Sequence, residues 1–175
     1  MPFRICAFCG SIERLAWAKA SGGPWDSALF TAVALDQQAV VVALLGAGVE
    51  ADQLGVYNSV GSEANMTALC LAAQRGNAAA VFALLGAGAE VDRASYNGIT
   101  PLLAAVEFGT EDVVAALLEA GARVNQVNQV NGRGCTPLMM AVAAQSSRTT
   151  MVMALLEAGA RVNKAVIGGL TALTI

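Results

Sequence analysis

The sequence predicts an all-α repeat, a solenoid of stacked helix–turn–helix units. Three observations predict it. Ala-Leu-Leu-Gly-Ala-Gly begins at Ala43 and again at Ala83, and Ala-Leu-Leu-Glu-Ala-Gly begins at Ala116 and Ala154, spaced 40, 33 and 38 residues apart. A Ser or Thr start precedes each copy: Ser27, Thr67 and Thr100 lie 16 residues ahead, and Thr136 lies 18 ahead. The chain of 175 residues is 56% hydrophobic and 13% charged. That balance supplies a packed core and argues against global disorder. Its apolar residues are mostly Ala, Leu and Val, which suit short helices stacked closely.

Residues 1–25 match this pattern poorly and are expected to form a degenerate cap or leader. Ser11 to Ala20 has a short helical pattern, and Ser21-Gly22-Gly23-Pro24 reads as a turn. The repeat array is expected over 26–175. Its first unit, 26–52, has an irregular start at Ser27-Ala28-Leu29. The stretch Gln53 to Met66 holds seven residues beyond a 33-residue period and reads as an elongated loop. The second unit is 67–92. Asn97-Gly98 then marks a tight hairpin turn.

The third unit, 100–125, is the cleanest. Thr100 supplies a capping oxygen and Pro101 fits the first helical position. Gly109 ends the first helix. Thr110 is placed to cap the second, with Glu111 and Asp112 at its positive end. Val113, Val114, Leu117 and Leu118 recur at helical spacing, and Gly121 ends that helix. Gln126 to Asn131 alternates Val with Asn or Gln and reads as a finger. The fourth unit, 136–163, has two extra residues within Gln145 to Thr150. A fifth begins at 168–175 with Gly169-Leu170-Thr171-Ala172-Leu173 and lacks a second helix. An array normally finishes in a polar-faced cap, so the sequence suggests part of a longer chain.

Such units need neighbours, because their helices are apolar on more than one face. T-P-L at Thr100 and Thr136, T-A-L at Thr67 and Thr171, Ala72-Ala73, Gly76 and Gly109, and LL-x-x-G-A at the second-helix ends resemble the ankyrin repeat over about residues 26 to 175. The resemblance implies an ankyrin-type α-solenoid with projecting β-hairpin loops. One departure is consistent. The family usually has His after T-P-L, where it ties neighbouring hairpins together. This chain has no His, and Phe30, Cys70, Leu103 and Met139 stand there. That puts the rigidity of the stack in question.

Chemistry has few candidates. Without His, no Ser-His or Cys-His pair can be built, and no catalytic residue is expected. Cys6-Ala7-Phe8-Cys9 offers half a zinc site or a redox pair, but a structural zinc takes four ligands and no second C-x-x-C follows. Two ordinary thiols are the better reading, with a thiol or zinc site as an alternative. The Gly-rich ends at Gly46 and Gly86 follow helices and lack the Lys-Ser/Thr of a phosphate loop. No cofactor or metal is expected. The formal net charge is −3 and no basic stripe appears, which argues against nucleic acid. The apolar runs fall short of the ~18 residues of a membrane span. The cysteine pattern shows no disulfide framework, so an intracellular, cytoplasmic location is expected.

The expected function is non-catalytic protein–protein recognition. By resemblance, the binding face is concave and built from hairpin tips and the solvent side of each first helix. It falls on Asp26 and Leu35 in the first repeat, on Glu63, Met66, Gln74 and Arg75 in the second, on Tyr96, Asn97, Ile99, Glu107 and Phe108 in the third, and on Arg133 and Cys135 in the fourth. Tyr96, Ile99 and Phe108 are apolar at positions expected to be open, and Arg75 and Arg133 flank them. Aromatic residues and Arg are enriched in interface hot spots. The bland alternative has Phe108 packing over Gly76 or a neighbouring helix. The partner is another protein or another domain of the same parent chain; the array then acts as a regulatory or positioning segment. Asn125 and Asn163 are expected to hold hairpin backbone through their side chains.

Overall fold

The computed structural model describes residues 28–59, 62–96, 98–108, 110–127, 134–144, 148–166 and 169–174. The N-terminal stretch with Cys6 and Cys9 lies outside them, as do Ser27, Asn97, Gly109 and Arg133. Eight short helices and one β-hairpin are present among the described residues. The first repeat contributes α1 (Ala28–Ala34) and α2 (Gln38–Gly46), and the second α3 (Ala68–Gln74) and α4 (Ala78–Gly86). The third contributes α5 (Pro101–Phe108) and α6 (Glu111–Glu119), and the fourth α7 (Pro137–Ala143) and α8 (Thr149–Glu157). The first helices α1, α3, α5 and α7 pack on one another in sequence order as one layer; α2, α4, α6 and α8 form a second layer beside it.

Local chemistry explains the starts and stops. Thr67, Thr100 and Thr136 each accept, through Oγ1, the backbone N–H three residues on: Cys70 at 3.1 Å, Leu103 at 3.3 Å and Met139 at 3.2 Å. These hydroxyls are buried, so each bond satisfies a donor that water cannot reach. The expected cap at Thr110 does not form. Its backbone is extended as a cap requires, but its side chain makes no capping bond. Its methyl instead lies beside Gly76, 3.0 Å from where a Cβ on that glycine would sit. Asn77, which the sequence did not single out, caps α4 by accepting the Ala80 N–H at 2.9 Å. Gly121 has φ +87°, a left-handed conformation that costs an L-residue with a side chain about 1–2 kcal/mol. The Ala122 N–H returns to the Leu117 carbonyl at 3.0 Å and closes that helix end.

The core is a set of rows crossing the repeats. Leu44, Leu84, Leu117 and Leu155 are 0–1% exposed at one register position of the outer layer. At about 1.5–3 kcal/mol per buried Leu, this row alone outweighs any single polar contact described below. Val33, Ala73 and Val106 form a second row at 0%.

The stretch expected as an elongated loop is a paired hairpin. Strand β1 (Leu54–Ser59) runs antiparallel to β2 (Ser62–Thr67), in register from Leu54↔Thr67 to Ser59↔Ser62. The extra residues thus lengthen two arms whose backbone groups satisfy each other.

The positions usually held by His remain core. Phe30, Cys70, Leu103 and Met139 are 0–6% exposed. Two of them tie down the neighbouring hairpin by other means. The Cys70 thiol donates to the carbonyls of Arg93 at 3.5 Å and Ile99 at 3.6 Å. Phe30 lies directly on the backbone of Gly55, in space that a Cβ there would occupy.

Candidate functional site

Register decides which side chains share a face. Leu35, Arg75 and Phe108 occupy the same position, eight residues after the helix start, in repeats one to three. All three are exposed, Leu35 at 55% and Phe108 at 57%. Since these first helices pack as neighbours, at interaxial distances of about 8–10 Å, the three form a row across the stack. Gln74 and Glu107 stand one residue earlier in their helices. Glu107 is exposed and Gln74 half-buried, its side-chain oxygen shielded from solvent with no hydrogen-bond partner among the described residues.

The hairpin between repeats two and three supplies the other edge. Ser95 N–H donates to the Ile99 carbonyl at 2.9 Å, and Gly98 N–H to the Ser95 carbonyl at 2.8 Å. Gly98 takes φ +73° to close this turn. Tyr96 sits on it at 84% exposure, with no packing reason for an aromatic residue.

Two expected members of the face do not lie on it as open side chains. Met66 is buried at 9% and belongs to the core. It pairs with Gly55 across the hairpin, and its place in the returning strand turns it inward. Ile99 is half-buried and packs against the core. Its carbonyl, which accepts from Cys70, serves the fold. Asn97 and Arg133 lie outside the described residues. The side chain nearest to Gly76, where a Cβ would sit, is that of Thr110.

Electrostatics tie the same region to the fourth repeat. The Arg148 guanidinium donates to the Val106 carbonyl and, at 3.1 Å, to the Glu107 carbonyl. It thereby satisfies the free carbonyls at the end of α5. Burial raises the Glu107 carboxyl above the usual range. Sequence reasoning missed Arg148; the signal was a basic residue at the start of the fourth repeat's second helix, where Thr110 stands in the third.

It also missed an apolar row on the outer layer. Val42, Phe82 and Met153 immediately precede the Ala-Leu-Leu segment in three repeats and are 52–58% exposed. The adjoining helices α2 and α4 carry no charged residue. This row lacks the arginine and polar companions of the Leu35–Arg75–Phe108 face. Clefts among the described residues include shallow ones. One, of about 570 Å³, is lined by Ala122 to Gln126 at a helix-end loop. Among the described residues no three His, Cys, Asp or Glu side chains gather as metal ligands. No helix among the described residues is long and apolar enough to cross a membrane.

Stacked helix pairs, hairpins between them and an open side-chain face without convergent acid–base groups define a helical repeat scaffold. Comparison with known families agrees. The description of ankyrin repeats in three copies matches residues 29–128, and that of a single ankyrin repeat matches residues 133–165. The chain belongs to the ankyrin-repeat family, whose repeats are generally protein–protein interaction modules. No curated protein matches it.

Proposed function

We propose that this chain binds a partner protein without chemistry, through the hairpin and first-helix face centred on its third repeat. The observation that carries the reading is the exposure of Phe108 and Tyr96, at 57% and 84%, beside a row that also holds the exposed Arg75. Large aromatic rings give contact area at small entropic cost, and neither ring has a role in the core. Arg75 adds a planar donor for a carboxylate. The fitting partner is therefore a protein surface that presents an apolar anchor with a carboxylate beside it. A domain of the same parent chain meets that description as well as a separate molecule does.

The test begins with affinity capture on the full chain, followed by titration of the purified partner. Phe108→Ala is expected to weaken binding about thirtyfold, the equivalent of about 2 kcal/mol for a hot spot. Arg75→Ala should weaken it too, with the helical circular dichroism of both variants unchanged. Phe82→Ala, on the outer row, should bind as the parent does. Loss of binding in Phe82→Ala with none in Phe108→Ala would assign the partner to the opposite layer.

A further inference from the structure

The loops that leave the second helices carry charge in a set order. Seven residues on from each Ala-Leu-Leu start, they place Glu50, Glu90, Arg123 and Arg161 at one register position. All four residues are exposed, the Glu90 and Arg123 side chains at 67% and 78%. Their backbones are tied from repeat to repeat. Asp52 accepts the N–H of Glu90 at 3.0 Å, Asp92 that of Arg123 at 2.9 Å, and Asn125 that of Arg161 at 2.8 Å. The four side chains therefore stand in a row with the spacing of the stacked helices, about 8–10 Å per step. The row reads acid, acid, base, base. Small residues leave it unobstructed: Gly88, Gly121 and Gly159 are exposed, and a Cβ on any of them would meet nothing within 4 Å.

That order is its own complement. A twofold axis lying across the row, between the second and third repeats, sets Glu50 opposite Arg161 of another copy and Glu90 opposite its Arg123. Each pair is made twice. The flanking positions agree with the same axis. Four residues earlier stand Gly46, Gly86, Glu119 and Glu157, so both acids meet glycines. Two residues later, Asp52 and Asp92 meet Asn163 and Asn125. Three later, Arg93 and Lys164 meet Gln126 and Gln53. No like charges face each other at these positions, and such opposition is what excludes a wrong partner. Within one chain Arg123 lies 3.4 Å from Asp92, and Arg93 4.0 Å from Glu90. Surface pairs of this kind are weak, and Glu90 and Arg123 stay open to a second partner.

We infer that two copies of this chain pair along this row about a twofold axis, antiparallel, the acidic half of each against the basic half of the other. The contact is isologous and closes at a dimer. It uses neither end of the stack. It also lies at the far end of the second helices from Leu35, Arg75 and Phe108, so the proposed partner face stays free. A row about 25–30 Å long and one loop wide covers less than the ~1,200 Å² of a standard interface. The dimer is accordingly weak and sensitive to salt.

Sedimentation equilibrium of the full chain at low salt tests it. The expected result is a monomer–dimer equilibrium that goes no further and weakens about tenfold or more in about 0.5 M NaCl. Glu90→Arg and Arg123→Glu should each weaken dimerisation about tenfold or more, since each change acts twice at a twofold contact. An equal mixture of the two should recover it as a one-to-one heterodimer, and so should one chain carrying both. Should loss of the Asp92 pair lower the melting temperature of Arg123→Glu, Glu50→Arg and Arg161→Glu take the same test. Phe108→Ala should dimerise as the parent does. A monomer at concentrations up to about 1 mM overturns the inference. So does growth beyond a dimer, a dimer indifferent to salt, or a mixture that associates no better than its two components.

Discussion

Replacing Gly55 by Ala isolates the device that stands in for the missing imidazole in the first repeat. A Cβ at Gly55 would fall against the base of the Phe30 ring, 2.5 Å from Cδ2 and 2.7 Å from the Phe30 Cβ. Those atoms are close to the Phe30 backbone, so no distal rotation of the side chain relieves the clash. The ring is 6% exposed and has no solvent to move into. Overpacking of this kind costs about 1–3 kcal/mol. For a chain of this length that is a fall in melting temperature of about 2–12 °C. The sign is diagnostic, because Gly→Ala at an unstrained site would stabilise by about 0.4–1 kcal/mol through the unfolded chain. Urea and thermal unfolding of Gly55→Ala, Phe30→Leu and the double variant form the cycle. The double variant should be more stable than the two single losses added together, with a coupling of about 0.5–3 kcal/mol. Unchanged melting in Gly55→Ala, or strict additivity, would refute the direct packing of ring on backbone.

The same example shows what was legible in the chain. Helix starts at Thr67, Thr100 and Thr136, the left-handed end at Gly121 and the Leu rows depend on residues within a few positions of one another. Periodicity and capping rules reach that far. The departure at Phe30, Cys70, Leu103 and Met139 was equally visible, but its consequence was not. Cys70 finds its acceptors at Arg93 and Ile99, 23 and 29 residues on, and Phe30 finds its space at Gly55. Arg148 reaches back 42 residues to Val106. Met66 failed as a surface residue for a related reason. The sequence places it near a hairpin, but its side of the strand is set by pairing with Gly55 across the hairpin. Tyr96 and Phe108 were legible as open because each is a large apolar residue where the local pattern calls for a turn or a helix end. Contacts between repeats, with varied loop lengths, are where local rules lose their hold.

Two further predictions concern those contacts. Asn125→Ala removes two side-chain bonds to the fourth repeat, the donation to the Gly159 carbonyl at 3.0 Å and the acceptance from Arg161 at 2.8 Å. At about 0.5–1.5 kcal/mol net for each bond, a loss of about 1–3 kcal/mol is expected in thermal unfolding. Amide exchange should quicken in α8 and leave α3 unchanged. The last prediction concerns pH. Burial pushes the Cys70 thiol up to about 11, against the smaller opposing effect of its hydrogen bonds with Thr67 and Ser95. An acid whose folded pKa lies above its unfolded value, about 8.5 for a thiol, holds its proton more tightly when folded. Its stabilisation is complete below about pH 8.5 and is lost as pH rises toward 11. The parent chain should therefore lose stability between those limits at a limiting slope of about 1.4 kcal/mol per pH unit from this group. Cys70→Ala should start lower at neutral pH and lack that slope. Iodoacetamide at pH 8 should label Cys70 in urea and spare it in the folded chain, as mass spectrometry of the Cys70 peptide would show. Rapid native labelling would mean that the thiol is ionised and exposed, and would remove it as the donor that ties the second repeat to its hairpin.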